Sequence, residues 1–354
     1  MNDAKYIGMD VHQATISVAV RDWRGDVVME AILETKSETI LQFIRGLRGS
    51  LHVTFEEGTW AAWLYDLLKS HVTKVVVCDP RKNPLLKVGN HNDRDARKLS
   101  ELLYMNKLSS VFHGEAGIRA LRELARGYLT ITRDLTRVMN RLKAIYRGWG
   151  IACTGQQVYA PRYRAEWLAK ITEAGVRRRA EIYYQQFDVL ARLRQETRRE
   201  LLAEGRKHIA TRLLRRIPAI GPIRAALLIA LMQTPHRFRT KRQLWAYCGL
   251  ALKTYSSGVY CFVGGQLKRS KKPVAIRGLN KNHNHELKNI FKGAATRAEA
   301  TAGPFQEFYE ARIASGMKPA MARLTLARKI AAITLLVWKK GVCFDAKQLK
   351  QPAA

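Results

Sequence analysis

Apolar and polar positions change period several times along the first third of the chain. Tyr6-Ile7-Gly8-Met9-Asp10 reads as a short strand that ends in an acid. Thr15 to Val20 alternates β-branched and small residues, Asp22-Trp23-Arg24-Gly25-Asp26 makes a turn, and Val27 to Leu33 returns, so three strands form a meander. From Ser37 to Leu47 the apolar positions Ile40, Leu41, Ile44 and Leu47 take helical spacing. A strand at Leu51 to Phe55, a helix at Trp60 to Leu68, a strand at Lys74 to Cys78 and a helix at Ala96 to Tyr104 follow. The middle of the chain is helical. Ile118, Leu121, Ala125, Tyr128, Thr132, Leu135, Met139, Leu142 and Tyr146 form a heptad seam with one polar insertion at Thr132. After a break at Gly148 to Pro161, a second helix is expected from Ala165 to about Glu204.

Three strands followed by alternating helix and strand is the element order of an α/β, RNase H-like (RuvC-like) domain, here 1–112. The two long helices suggest an antiparallel coiled-coil arm, 113–206. The remainder, 207–354, reads as mainly α-helical. It opens with Ile217-Pro218-Ala219-Ile220-Gly221-Pro222, a helix–hairpin–helix-like turn of the kind that brings backbone N–H groups to a phosphate.

Charge sharpens the division. The 354 residues carry 62 Lys and Arg against 29 Asp and Glu, a formal +33. Residues 1–112 hold 15 basic and 14 acidic side chains, so nearly the whole surplus lies beyond them. Such an excess points to a polyanionic partner, with nucleic acid the default. The expected contacts are the basic runs Arg177-Arg178-Arg179 and Lys268, Arg269, Lys271 and Lys272. No apolar run reaches the roughly 18 residues of a membrane helix, and no signal-peptide core opens the chain, so a cytoplasmic, nucleoid-associated protein is expected. The cysteines Cys78, Cys153, Cys248, Cys261 and Cys343 form no CxxC pair, which argues against a zinc site or a disulfide framework.

The candidate chemistry is carboxylate chemistry. Asp10 ends the first strand, Glu56 follows the fourth, and Asp93 and Asp95 precede the last helix of the N-terminal domain. In an RNase H-like sheet the first and fourth strands are neighbours, so these acids would meet at one edge. Clustered carboxylates repel one another unless a cation neutralises them, and oxygen-only ligands select Mg²⁺ or Mn²⁺. Two such ions about 3.5–4 Å apart can clamp the attacking and leaving oxygens of a phosphodiester. Glu57 beside Glu56 is a smaller ambiguity, since neighbouring strand residues point to opposite faces.

Gly8-Met9-Asp10-Val11-His12, Phe55-Glu56-Glu57-Gly58-Thr59 and Asp93-Arg94-Asp95-Ala96-Arg97-Lys98-Leu99 resemble the DEDD transposases of insertion sequences, the "IS-one-ten" family. The resemblance continues through Ile217-Pro218-Ala219-Ile220-Gly221, Trp245-Ala246-Tyr247-Cys248-Gly249-Leu250 and Ser256-Ser257-Gly258, and covers nearly the whole chain in order. It implies a RuvC-like head, a coiled-coil arm and a C-terminal transposase domain with a nucleophilic serine. That serine forms a transient phosphoserine link to DNA beside Mg²⁺ held by the acids of the head, in a composite site. It also implies a structured guide RNA that pairs with target and donor DNA. The family's Ser-Gly step falls on Ser257, with Ser256 the fallback; without the resemblance, the tripeptide reads as a simple turn. One departure stands out. The family places its last two acids three apart, whereas Asp93 and Asp95 are two apart, about 200° around a helix. Either Asp93 precedes the helix and bends inward or the site has lost an acid. Two rivals follow: a metal-dependent nuclease or junction resolvase that uses the acids and water, and a decayed, non-catalytic nucleic-acid-binding protein. One nucleophile per chain against four strand breaks calls for a dimer or tetramer.

Overall fold

The computed structural model describes residues 3–80, 92–113, 118–255, 260–263, 266–269 and 275–350. The chain divides into two compact units, Met1–Ala116 and Gly117–Ala354.

The first unit is built on β1 (Ala4–Val11), β2 (Thr15–Arg21), β3 (Val27–Glu34), α1 (Ser37–Gly46), β4 (Ser50–Glu56), α2 (Ala61–Leu68), β5 (Lys74–Cys78) and α3 (Asn92–Tyr104). The sheet order is β3-β2-β1-β4-β5. β1 pairs antiparallel with β2, and β2 with β3; β1–β4 and β4–β5 are parallel. This mixed sheet is compatible with the RNase H-like order expected from the meander. One face carries Ile7, Met9, Val53 and Phe55 into a core shared with Ile40 and Ile44 of α1 and Leu64 and Leu68 of α2. The other face receives α3. Gly8 makes that contact possible, because a Cβ at position 8 would lie 2.2 Å from the Ala96 carbonyl oxygen and 2.5 Å from the Ser100 nitrogen. α3 starts at Asn92, four residues earlier than the periodicity suggested. The polar lead-in Asn92-Asp93-Arg94-Asp95 carries no apolar repeat by which to see it.

In the second unit, α4 (Arg119–Gly148) and α6 (Ala174–Arg206) run antiparallel. Leu121 near the start of α4 clusters with Leu201 near the end of α6. At the other end the Tyr146 and Tyr184 hydroxyls are 3.0 Å apart. Thr132, the polar insertion in the α4 seam, leaves its hydroxyl buried without a partner. The second helix is shorter than expected: α5 (Arg164–Ala169) precedes it, and the chain breaks at Lys170–Glu173. Ile171 turns into the small core at the tip of the pair, packed with Trp167 and Tyr146. The base of the pair joins the core of α7 (Ala210–Leu214), α8 (Pro222–Met232), α9 (Lys241–Tyr247), α10 (His285–Glu299), α11 (Pro304–Ala314) and α12 (Pro319–Lys340), with α13 (Lys347–Lys350) ending the described chain. Four short strands interrupt this helical region: β6 (Leu252–Tyr255) pairs with β9 (Ala275–Leu279), and β7 (Tyr260–Val263) with β8 (Gln266–Arg269). The sequence pattern does not announce them, because strands of four or five residues give too few alternations to register.

A candidate active site at the end of the central strands

Strand register positions the first two acids. Gly8 lies opposite Thr54 and Met9 opposite Phe55 across the parallel β1–β4 pair, so the next step along both strands brings Asp10 level with Glu56. Side chains alternate across a strand. Met9 and Phe55 enter the core under α1 and α2, so Gly8, Asp10, Thr54 and Glu56 belong to the face that α3 covers. Asp95 stands in the first turn of α3, next to the Ala96 carbonyl that Gly8 admits. Its carboxyl is held above the ordinary carboxylate range, first by burial and then by the charge of Asp10; His12 works in the opposite direction. Asp10 and Asp95 therefore sense each other across the β1–α3 contact.

Glu56 also marks its position through a neighbour. It lies opposite Cys78 in the β4–β5 register. The Cys78 thiol is pushed up to about 12, mainly by burial and then by the Glu56 charge. The adjacent Glu57 is engaged elsewhere. Its carboxylate meets His113 Nε2 at 2.7 Å, and the buried His113 ring stacks on Tyr65 of α2 at 4.9 Å. Glu56 thus stands level with Asp10 in the strand register, while Glu57 is tied to His113. His12, which the sequence reading left without a role, places Nε2 3.0 Å from Asp10 Oδ2. Its strand-end position two residues after Asp10 was the available signal.

Asp93 and Asp95 do not precede the helix as expected: α3 begins at Asn92, so both lie in its first turn, because the polar lead-in joins the helix; the Asp93 side chain is outside the described residues. Among the described residues, no three His, Cys, Asp or Glu side chains converge closely enough to hold a metal ion as they stand. The donor chemistry nevertheless fits a hard dication. The candidate donors are carboxylate oxygens, and the Asp95 carboxyl is raised by burial and by the Asp10 charge, both of which a cation would offset.

Ser256, Ser257 and Gly258, as well as Lys271 and Lys272, lie outside the described residues, and so do the side chains of Lys268 and Arg269 on β8. β6 ends at Tyr255, immediately before the serines. The segment that leads into β6 is held on several sides. Trp245 Nε1 donates to the Arg328 carbonyl at 2.9 Å, and Arg328 Nε donates to the Leu250 carbonyl at 2.6 Å. Asn280 donates its backbone N–H to Ala251 and its side-chain amide to Ala246. Gly249 has φ +65°, and a Cβ there would lie 2.4 Å from the His283 ring. Arg328, Asn280 and His283 come from far along the chain, and no local pattern announces them.

The basic run on α6 is not uniform. Arg177 directs Nε and Nη2 onto the Ile171 carbonyl at 3.0 and 2.7 Å, closing the break before α6. Arg178 pairs with Glu181 at 2.9 Å, and Arg179 is exposed. In the helix–hairpin–helix-like turn, Ile217 and Ile220 are buried, and Arg224 donates to the Ala219 and Gly293 carbonyls.

Comparison with known proteins bears on both units. A transposase model for the DEDD group matches residues 7–148, from β1 through α4. A second model, described as the transposase IS116/IS110/IS902 family, matches residues 211–310, from α7 into α11. A probable family 20 transposase of Pseudomonas aeruginosa is 22% identical over 348 residues, covering 96% of this chain and 98% of that protein. With both halves matched in order by models of one family, the chain belongs to the IS110/IS116 family of DEDD transposases.

Proposed function

We propose that this transposase cuts and rejoins DNA strands through a phosphoserine intermediate on Ser257, with Mg²⁺ held by Asp10, Glu56, Asp95 and Asp93, and with a structured RNA as guide. The observation that carries the reading is the Asp10–Asp95 approach across the Gly8 contact, with Glu56 level on the neighbouring strand.

Ser257 Oγ attacks the DNA phosphorus, forms the serine ester and releases a sugar hydroxyl. Attack by a sugar hydroxyl of the new strand then reverses the chemistry and frees the serine. The ester conserves the energy of the broken phosphodiester, so rejoining needs no further cofactor. A serine hydroxyl is a weak nucleophile and requires activation. Bound Mg²⁺ would lower the pKa of a coordinated oxygen and stabilise charge on phosphate oxygens. Gly258 would let backbone approach phosphate closely. The exposed cations of the second unit, Arg178 and Arg179 among them, would carry RNA and DNA backbone. Lys268, Arg269, Lys271 and Lys272, close to Ser257 in sequence, would hold the strand being cut. A dimer or tetramer would supply enough serines for four strand breaks.

The test is denaturing electrophoresis of the protein with labelled DNA, guide RNA and Mg²⁺. Wild type should give a covalent protein–DNA species that Ser257→Ala lacks and Ser256→Ala retains. Cutting without any linked species would assign hydrolysis by the acids and water instead.

A further inference from the structure

A cleft opens beside the acids, on the same face of the sheet. It has a volume of about 290 Å³ and is lined by Ser17, Glu30, Ile32, Ala96 and Arg97 together with the backbone of β2 and β3. Its position follows from register. Ser17 lies opposite Asp10 across β1–β2, and Ile32 lies opposite Ser17 across β2–β3. Ala96 follows Asp95 directly. The cleft therefore begins where the Asp10–Asp95 pair ends and runs outward to the edge of the sheet.

α3 packs on β1, β2 and β4, and the edge strand β3 stays open. Ile32 is 69% exposed, an apolar side chain on the rim of a polar site. Across from it, Arg97 of α3 clasps Glu30 through Nε and Nη2, one nitrogen to each carboxylate oxygen. Both partners are half-exposed, at 55% and 38%. Exposed ion pairs of this kind contribute little to stability, so the clasp can exchange at small cost. The fork of a guanidinium fits phosphate oxygens as well as it fits a carboxylate.

A DNA strand that approaches these carboxylates is repelled along its whole backbone. A dication held by the acids would offset the charge of the scissile phosphate, and the flanking phosphate needs a cation of its own. Arg97 is two residues from Asp95 and already presents its fork to a phosphate-like anion. We propose that this cleft seats the nucleotide next to the scissile phosphate of the DNA strand being cut, with its phosphate replacing Glu30 on Arg97 and its sugar and base lying over Ile32. The inference rests on the reading of Asp10, Glu56 and Asp95 as the cutting site.

Ultraviolet cross-linking of the full-length chain to DNA substituted with 5-iodouracil, in Ca²⁺ to prevent turnover, reads the cleft directly by peptide mapping. Wild type should cross-link within β3. Arg97→Ala should lower that yield about tenfold, the scale of a lost charge-assisted phosphate contact. Glu30→Gln should raise it, because Arg97 is released, and unfolding midpoints of both variants should match wild type. The opposite signs are decisive. If both variants lower the yield together, or neither changes it, the pair is structural and the cleft does not hold DNA. An equal β3 yield with 5-iodouracil RNA of the same sequence would overturn the assignment to DNA. Asp10→Asn separates this inference from the reading beneath it. That variant should keep the β3 cross-link and lose Mg²⁺-dependent cutting. Cutting at the wild-type rate would refute the acid site itself. A missing β3 cross-link in wild type, with Asp10→Asn still inactive, would remove the cleft alone.

Discussion

Charge is organised in opposite ways at the acid edge of the first unit and along the long helices of the second. On the helices, opposite charges alternate at helical spacing and neutralise one another locally: Arg126 with Glu123, Arg137 with Asp134, Arg178 with Glu181 and Lys207 with Glu204. What is left over is a diffuse surplus of cations on a solvated surface. At the acid edge, strand register and the close packing of α3 on Gly8 bring carboxylates to one face, and the Asp95 carboxyl is held above its ordinary range first by burial and then by the Asp10 charge. Locally paired charge describes a surface that binds by total field, while carboxylates gathered on one face by rigid backbone describe a site. The arginine run and the acid cluster therefore call for different experiments, although both were conspicuous as charge in the sequence.

The strongest way to break the comparison is to remove the backbone cause of the crowding. Gly8→Ala places a methyl against the backbone of α3 and should cost about 1–3 kcal/mol, the range of overpacked cores, measured by chemical denaturation. It should also abolish transposition in a cell-based assay, because α3 carries Asp95 away from Asp10. A variant of wild-type stability and activity would show that α3 need not sit that close.

On the helical side, the account predicts that neighbouring arginines differ. Arg177→Ala should destabilise the tip of the helix pair by about 0.5–1.5 kcal/mol, the net value of an intramolecular hydrogen bond, read as faster amide exchange around Ile171. Arg179→Ala should leave stability unchanged and reduce the slope of log affinity against log salt for duplex DNA by about 0.9, one phosphate contact. Exchanged behaviours would mean that the Ile171 contact is incidental.

The smallest expected effect is also the sharpest for the acid edge. A carboxyl held above its ordinary pKa contributes stability when protonated and loses it as pH rises through the raised value. At neutral pH the Asp95 charge is therefore unfavourable, and Asp95→Asn should stabilise the metal-free protein by up to about 0.5 kcal/mol while removing activity. Loss of stability in this variant would mean that Asp95 serves the fold.

Much of the acid edge was legible in the sequence because strands have a period of two. Asp10 and Glu56 each stand at the end of an apolar strand, and the RNase H-like element order makes the first and fourth strands neighbours, as the parallel β1–β4 pairing has them. The start of α3 was not legible, since Asn92-Asp93-Arg94 is polar throughout and helix propensity there has no apolar face to reveal it. Nor was the partition of Glu56 from Glu57, which depends on His113, 56 residues beyond Glu57. In the second unit the α4 seam was plain, but the break before α6 was not. Ile171-Thr172-Glu173 continues a passable helical pattern, yet the chain leaves the helix there with Ile171 buried beside Trp167. Arg177 looked like its neighbours because a run of arginines carries no mark of which guanidinium will find a carbonyl.

The central claim is that the acid edge performs chemistry while the cationic surface of the second unit carries binding. Asp10→Asn tests it most directly, with DNA affinity and Mg²⁺-dependent strand cutting measured on the same preparation and guide RNA. Affinity should stay within about twofold of wild type, since phosphate contacts dominate it, and cutting should fall at least about a hundredfold, the scale of lost metal assistance. Cutting at the wild-type rate, or affinity that falls in step with cutting, would contradict the account.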